Sequence, residues 1–241
     1  MNFQRLPFPN CVLLDLDDTV YPYGKAHEAG LNGASEVAKR LLGIPQGEFL
    51  ESYACARTQT KRRLGHVASS HNRLLYFQRM LEIIGLGSQV GFALELEQAY
   101  WSLFLDEAEL RPQVLDFLDD LRLNGIPIVA VTDLTAAIQF RKMRVWQIDR
   151  YIDWVVTSEE VGADKPAPAM FELALAKLGG IEGEVWMIGD NPEADIEGAK
   201  AAVNATTIQF ITHNRETSGQ ADATATSFQE LRNLLRRALK K

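Results

Sequence analysis

The chain has 241 residues, of which 46% are hydrophobic and 24% charged, a composition typical of a folded globular protein. Its net charge of −7 argues against nucleic acid as a partner. No apolar run is long enough to cross a bilayer and the first residues lack the hydrophobic stretch of a signal peptide, so we expect a cytoplasmic protein with no membrane partner.

Three short apolar segments end in polar residues, and a helical pattern follows each of them. The first, CVLLD, ends at Asp15, the second, IPIVAVTD, at Thr132 and Asp133, and the third, VWMIGDN, just beyond Asp190. Nearly continuous apolar runs that alternate with amphipathic helices are typical of buried parallel strands in a doubly wound α/β sheet. In such a sheet these polar residues meet at the carboxyl edge, where ligands bind.

Residues 23–107 differ from the rest of the chain, because they show helical periodicity and no strand pattern. We interpret this segment as an all-helical cap domain inserted into a Rossmann-like catalytic core made of residues 1–22 and 108–241. Both junctions are predicted near the carboxyl edge of the sheet, so the cap is expected to cover the site. Two further strands are predicted in the core, at 153–157 and 206–211.

The sequence also predicts where two helices begin or end and which Trp and His side chains are buried. Pro168 is expected to open a helix. No glycine ends the helical segment EGAKAAV, so Asn204 is expected to take the left-handed conformation there. The four tryptophans, among them Trp154, are expected in the core, and His27 and His213 at the surface.

Asp15 and Asp17 stand two residues apart as the first strand ends, so their side chains can project to one face. Two like charges about 4 Å apart repel by roughly 4 kcal/mol at an effective dielectric of 20. A cation bound between the two carboxylates would replace this repulsion with attraction. Such a pair serves as metal ligands or as a nucleophile beside a general acid. Asp190 and Asp195 would complete an oxygen-only set that suits Mg²⁺, and no Cys/His cluster has zinc spacing.

Two further residues are suited to an anionic substrate. Lys165, in GADKPAP, can neutralise both Asp15 and an incoming anion. Thr132 offers a hydroxyl, and the backbone N–H groups beyond it can bind a phosphate oxygen. The edge of the sheet is therefore predicted to hold a cation and a phosphate together.

Four segments of the chain carry a family resemblance. DLDDT, VTD, the lysine of KPAPAMFE and GDNPEADIEGA resemble, in family order, the four motifs of the haloacid dehalogenase-like (HAD) hydrolase superfamily. The helical insert resembles the type 1 cap of that superfamily. The resemblance implies that Asp15 attacks phosphorus and becomes an aspartyl phosphate, and that Asp17 protonates the leaving oxygen and then activates water. It also implies that Thr132 and Lys165 hold the transferring phosphoryl group.

The same resemblance implies a metal site. Mg²⁺ would be bound by Asp15, by the backbone carbonyl of Asp17 and by Asp190, with Asp195 acting through water or as support. One departure concerns substrate binding, because Asp133 stands where the family often has Asn and can alter the contacts to phosphate.

The predicted function is that of a Mg²⁺-dependent phosphatase that cleaves a small phosphomonoester. A nucleoside monophosphate, a sugar phosphate and phosphoglycolate each fit this site as the substrate. The sequence is compatible with a monomer and with a dimer. A 2-haloacid dehalogenase or a phosphomutase of the same superfamily is an alternative, although Asp17 and Asp190 argue against the dehalogenase. A phospho-accepting signalling receiver is a further alternative, but receivers lack the helical insert.

The cap carries an unusual charge distribution. Between Ser52 and Leu81 the chain has six Lys and Arg residues and no acid. One interpretation is a solvated basic face or a protein-contact surface. The other is that part of this segment attracts an anionic substrate, and the candidate substrate-binding residues are then Arg57, Lys61, His71 and Arg73.

Overall fold

The computed structural model describes residues 6–180, 182–212 and 215–239, so the prediction for His213 lies outside the described residues. The chain divides into two units. The first, here called the core unit, consists of Met1–Tyr21 and Leu110–Lys241. The second, the cap unit, is the continuous segment Pro22–Glu109.

The core unit is built on a parallel six-stranded sheet, which confirms the predicted α/β class. Its strands, in chain order, are β1 Cys11–Leu14, β2 Ile128–Thr132, β3 Trp154–Thr157, β4 Val185–Gly189, β5 Thr206–Phe210 and β6 Ala223–Ala225. Their spatial order is β3-β2-β1-β4-β5-β6. The short edge strand β6 was not predicted.

The first strand occupies the middle of this sheet. Leu13 of β1 pairs with Val129 of β2 on one side and with Met187 of β4 on the other. All residues of these three strands are buried, which explains why they read as continuous apolar runs. The strand order reverses at β1, so the crevice beyond its carboxyl end is the usual ligand position in such a sheet.

The cap unit contains four α-helices and confirms the expected all-helical insert. They are α1 Tyr23–Leu42, α2 Gln46–Leu64, α3 Arg73–Ile83 and α4 Val90–Glu107, with a 3₁₀ turn at Ala68–His71. Helices α1 and α4 approach closely at two glycines. A Cβ on Gly30 would lie 2.8 Å from the ring of Tyr100, and one on Gly33 would lie 2.8 Å from Leu103. The largest side chains buried in this unit are aromatic.

The helices of the core unit follow the strands. They are α5 Val114–Leu123, α6 Ala136–Val145, α7 Ser158–Val161, α8 Pro168–Lys177, α9 Gly198–Val203 and α10 Phe228–Leu239. Pro168 opens α8 as predicted, and Asn204 ends α9 with a φ of 51°. A π-helical turn at Pro192–Glu197 precedes α9 and was not predicted. Within the described part of the chain, no helix is long and apolar enough to cross a membrane.

Two predictions about individual side chains were wrong. Trp154 is 47% exposed, because it is the first residue of β3, which is the edge strand of the sheet. His27 is half-buried rather than exposed, because its ring packs among the aromatic side chains of the cap unit, where Nδ1 lies 2.7 Å from the hydroxyl of Tyr100.

Candidate active site

The ends of the three central strands supply the polar residues of the site. Asp15 follows β1, Thr132 is the last residue of β2, and Asp190 follows β4. Because β1 lies between β2 and β4, the three side chains emerge at the same edge of the sheet. All three are buried, so their interactions take place largely away from bulk water.

Lys165 links two of the acids at this edge. Its Nζ lies 2.6 Å from Asp15 Oδ1 and 2.7 Å from Asp195 Oδ1, and the lysine is itself buried. Its backbone N–H donates to Asp133 Oδ1 at 2.9 Å, which fixes the loop that carries it. Burial alone would lower the pKa of Lys165, but Asp15 and Asp195 outweigh that effect and raise it. The site therefore holds a permanent cation next to Asp15.

Asp15, Asp190 and Asp195 form a buried cluster of three carboxylates. One oxygen of each lies within 4.8 Å of the others, which is a spacing that a metal ion can bridge. Burial, together with the neighbouring acids, raises the pKa of Asp15 despite Lys165. Burial and Asp195 likewise raise the pKa of Asp190 to about 6, although Arg215 Nε lies 3.1 Å from its carboxylate. The cluster thus carries more negative charge than the chain neutralises.

The π-helical turn places Asp195 directly against the end of β4. Its Oδ2 accepts from the backbone N–H of Asn191 at 2.9 Å. A Cβ on Gly189 would lie 2.3 Å from the same oxygen, so only glycine leaves room for this carboxylate. Local backbone geometry, rather than the sheet alone, therefore brings the third acid of the cluster into the site.

Asp17 lies in a different environment from Asp15. Lys142 Nζ lies 2.5 Å from its Oδ1, Gln139 Nε2 donates to its Oδ2 at 3.0 Å, and the hydroxyl of Tyr21 donates to Oδ1. Burial alone would raise the pKa of Asp17, but Lys142 and these hydrogen bonds outweigh it and lower the pKa. Its carboxylate is not part of the three-acid cluster. Asp17 is thus held as an ion pair, with its side chain 31% exposed.

Gln139 connects Asp17 to the end of β2. The same Nε2 lies 2.7 Å from Thr132 Oγ1 and 2.7 Å from the carbonyl oxygen of Asp133. On the other side of the site, the hydroxyl of Thr19 donates to Asp15 Oδ2 at 2.8 Å. These bonds fix the side chains that flank the reaction centre.

The loop after β2 has a strained backbone. Leu134 has a φ of 97°, a region that costs a residue other than glycine on the order of 1–3 kcal/mol. Its N–H donates to Ser158 Oγ at 2.9 Å, and Ser158 is fully buried. Ser158 therefore holds the loop beyond Thr132 in a conformation that Leu134 would not adopt alone.

Gln139 and Lys142 were missed by the sequence analysis. They lie three residues apart on α6, and Lys142 is 1% exposed although its neighbour Arg141 is exposed. One signal was present, because Ile138, Gln139, Lys142 and Met143 together form the buried face of this helix. A lysine at an apolar position of an amphipathic helix indicates that its side chain is buried and pairs with an acid there.

The four basic candidates of the cap unit do not share one environment. Arg57 is exposed on α2, Lys61 lies one turn further along at intermediate exposure, and His71 is half-buried at the end of the 3₁₀ turn. Arg73, by contrast, is buried at the start of α3. A solvated basic face therefore does not describe Arg73.

Comparisons with known proteins agree with this geometry. A model of the haloacid dehalogenase-like hydrolases matches residues 9–202. The chain is 40% identical over 219 residues to the ribulose-1,5-bisphosphate 5-phosphatase of Halopiger xanaduensis, covering 90% of this chain and 92% of that protein. It is 32% identical over 192 residues to the glyceraldehyde 3-phosphate phosphatase of Methanopyrus kandleri, covering 79% of each.

A solved structure shows the same fold. The magnesium-bound HAD-hydrolase YfnB of Bacillus subtilis superposes with a TM-score of 0.72 and 19% identity, over 95% of this chain and 99% of that one. The family model spans most of the chain, and both relatives named above are phosphatases that match it over most of their length. The chain belongs to the haloacid dehalogenase-like hydrolase family, in its phosphatase branch.

Proposed function

We propose that this phosphatase cleaves a small phosphorylated sugar or triose, with Asp15 as the nucleophile and Mg²⁺ as its cofactor. The observation that carries the proposal is the position of Lys165 between Asp15 and Asp195, next to Asp190. Such a site combines a carboxylate nucleophile with positive charge for the phosphoryl oxygens, which are the main requirements of phosphoryl transfer. The names of the two relatives favour a sugar or triose phosphate over a nucleoside monophosphate.

The three-acid cluster fits a divalent cation. Its donors are all oxygen atoms, and burial, together with the neighbouring acids, raises the pKa values of Asp15 and Asp190. Mg²⁺ would be held by Asp15, Asp190, the backbone carbonyl of Asp17 and, directly or through water, Asp195. When bound, it would neutralise charge on the acids and on the substrate phosphate.

In the first half of the proposed reaction, an oxygen of Asp15 attacks phosphorus, and the bond between phosphorus and the leaving oxygen breaks. Lys165 and Thr132 hold the phosphoryl oxygens, and Asp17, which takes up a proton from solvent when the substrate binds, gives that proton to the leaving oxygen. A phosphate dianion next to Asp17 raises its pKa, which favours the protonated form at this step.

In the second half, Asp17 takes a proton from water, whose oxygen attacks phosphorus and releases Asp15. Lys142, Gln139 and Tyr21 contact Asp17 rather than the substrate in this scheme. We assign them the role of positioning residues, which hold the carboxylate of Asp17 in one orientation through both steps.

A phosphate-release screen tests the proposal. The panel contains ribulose 1,5-bisphosphate, glyceraldehyde 3-phosphate, phosphoglycolate, a nucleoside monophosphate and p-nitrophenyl phosphate, each with Mg²⁺ and with EDTA. We expect release that EDTA abolishes and excess Mg²⁺ restores. EDTA-resistant halide release from 2-chloropropionate would instead identify a dehalogenase, and isomerisation of a sugar phosphate without phosphate release would identify a phosphomutase.

A further inference from the structure

Arg215 pairs with Asp190, one of the acids of the three-carboxylate cluster. Its Nε lies 3.1 Å from Asp190 Oδ2, whereas Lys165 contacts the other two acids, Asp15 and Asp195. Asp190 follows β4 and Arg215 stands between β5 and β6, so the pair lies entirely within the core unit. Two different cations therefore offset the negative charge of the cluster.

The two cations are held very differently. The side chain of Lys165 is 3% exposed and contacts two carboxylates, whereas that of Arg215 is 43% exposed. Within the described part of the chain, the guanidinium of Arg215 makes a single hydrogen bond, from Nε to Asp190. An ion pair with an exposed partner adds little stability, because water and salt screen it. Arg215 can therefore leave its carboxylate at a small cost in free energy.

The backbone around Arg215 is held by other bonds than this ion pair. Gln209, a fully buried residue of β5, donates through Nε2 to the carbonyl oxygens of Glu216 and Asp190, at 2.8 and 3.2 Å. Its Oε1 accepts from the N–H of Ser218 at 2.7 Å. These bonds fix the segment after β5 against the end of β4. Release of the ion pair thus requires only a rotation of the Arg215 side chain.

The charge balance of the cluster changes when a divalent ion binds. Its three carboxylates carry three negative charges, of which Lys165 offsets one and Arg215 a second. Lys165 and a divalent ion would offset all three by themselves. At equal distance, a divalent ion attracts a carboxylate twice as strongly as a guanidinium does, and it repels the guanidinium. Arg215 and the ion therefore compete for Asp190.

We propose that Arg215 is a displaceable counter-ion, which pairs with Asp190 in the metal-free enzyme and gives up this carboxylate when Mg²⁺ binds. This inference rests on the metal site of the proposed function and adds a residue that sets its affinity. The ion pair stabilises the metal-free protein, and its loss opposes metal binding. Removal of the guanidinium should therefore destabilise the metal-free protein and tighten the binding of Mg²⁺.

The test measures Mg²⁺ binding to the full-length protein without substrate, by isothermal titration calorimetry and by thermal unfolding over a series of Mg²⁺ concentrations. In Arg215→Gln we expect the Kd for Mg²⁺ to fall roughly 3- to 10-fold, between the effects of losing an exposed and a buried ion pair. In EDTA the melting temperature should fall by about 1–4 °C. At saturating Mg²⁺ it should equal that of the wild type, because the pair is then broken in both proteins.

Two further variants separate this role from a general effect of charge. Arg215→Lys keeps the positive charge, so its Kd should lie closer to the wild-type value than that of Arg215→Gln. Arg144→Gln is the matched control, because it also removes one arginine and one ion pair of the core unit, the pair with Asp149 at 2.8 Å. Asp149 is not part of the acid cluster, so the Kd should not change in this control.

Two results with Arg215→Gln would overturn the inference while the metal site stands. A purely structural ion pair would lower the melting temperature equally in EDTA and in Mg²⁺ and leave the Kd unchanged. An arginine that orients Asp190 towards the ion would instead raise the Kd. If the wild type shows neither binding heat nor a higher melting temperature with Mg²⁺, the metal site of the proposed function itself fails.

Discussion

The candidate active site of the core unit and the surroundings of Arg73 in the cap unit both bury positive charge, but the charge has different partners in the two regions. In the core unit Lys165 contacts two carboxylates and Lys142 contacts one. In the cap unit Arg73 contacts hydroxyls, a carbonyl and aromatic rings. The comparison teaches that one chain can hold a buried cation in two ways, with carboxylates as counter-ions or with hydroxyls, a carbonyl and aromatic faces alone.

The largest effect is expected from breaking the core arrangement at its nucleophile. Asp15→Asn should reduce phosphate release by roughly 10⁴-fold or more, because an amide cannot attack phosphorus. The free energy of unfolding should change little, since the amide oxygen still accepts from Lys165 and the amide N–H can donate to the hydroxyl oxygen of Thr19. Phosphate release and thermal unfolding measured on the same preparation check both parts. Activity near that of the wild type would rule out Asp15 as nucleophile.

The next prediction tests whether the ion pair with Lys142 fixes the orientation of the Asp17 carboxylate. Asp17→Asn should lower kcat by roughly 10²–10⁴-fold, and less for p-nitrophenyl phosphate, whose leaving group needs no proton. Lys142→Met should lower kcat by up to roughly 10²-fold through misplacement of Asp17, with KM little changed. Lys142→Arg should recover part of this loss, because it retains the charge.

The double variant decides whether Lys142 acts through Asp17. If it does, adding Lys142→Met to Asp17→Asn should cause little further loss, because the two residues act as one unit. Independent losses that multiply would assign Lys142 a separate role in the reaction. Steady-state kinetics of the wild type, the two single variants and the double variant, on one sugar phosphate and on p-nitrophenyl phosphate, are sufficient for this comparison.

The smallest effect concerns His27 and the positive charge of the cap unit. Its folded-state pKa of about 4 lies below the usual 6.5, so the stability that it contributes is present above pH 6.5 and lost as pH falls towards 4. The loss should be on the order of 2 kcal/mol. Urea unfolding of the wild type and of His27→Gln should show a stability difference that shrinks over this pH range.

A matched substitution controls for the effect of low pH on the stability of the whole protein. His66 is exposed, so His66→Gln should reproduce the pH dependence of the wild type. If His27→Gln shows the same pH dependence as the wild type as well, neither burial nor the charge of Arg73 lowers the pKa of His27, and the contrast between the two regions weakens.

Much of the core unit could be predicted because each of its central strands is buried on both faces. That burial produces the apolar runs, and the polar residues that end them mark the carboxyl edge. Trp154 was misplaced for the opposite reason, since a hydrophobic residue on an edge strand has the same sequence signature as one in the centre.

Other features depended on contacts that no local pattern encodes. Asp195 reaches its position through a π-helical turn, which has no reliable sequence signature. Lys142 and Arg73 stand among other basic residues, and only the tertiary structure separates the buried cations from their exposed neighbours. The basic segment of the cap was recognised, but not that Arg73 alone of its four candidates is buried.

The central position of β1 determines when the site can assemble during synthesis. Leu14 pairs with Ala130 and Ile188, so more than a hundred residues must be made after β1 before its first neighbour exists. The cap unit, by contrast, is complete once Glu109 has left the ribosome. Long-range pairing of this kind folds slowly, and domains generally fold as units in the order of synthesis. We expect Asp15 to wait for β4 before it meets Asp190, so the reaction centre forms after the cap unit.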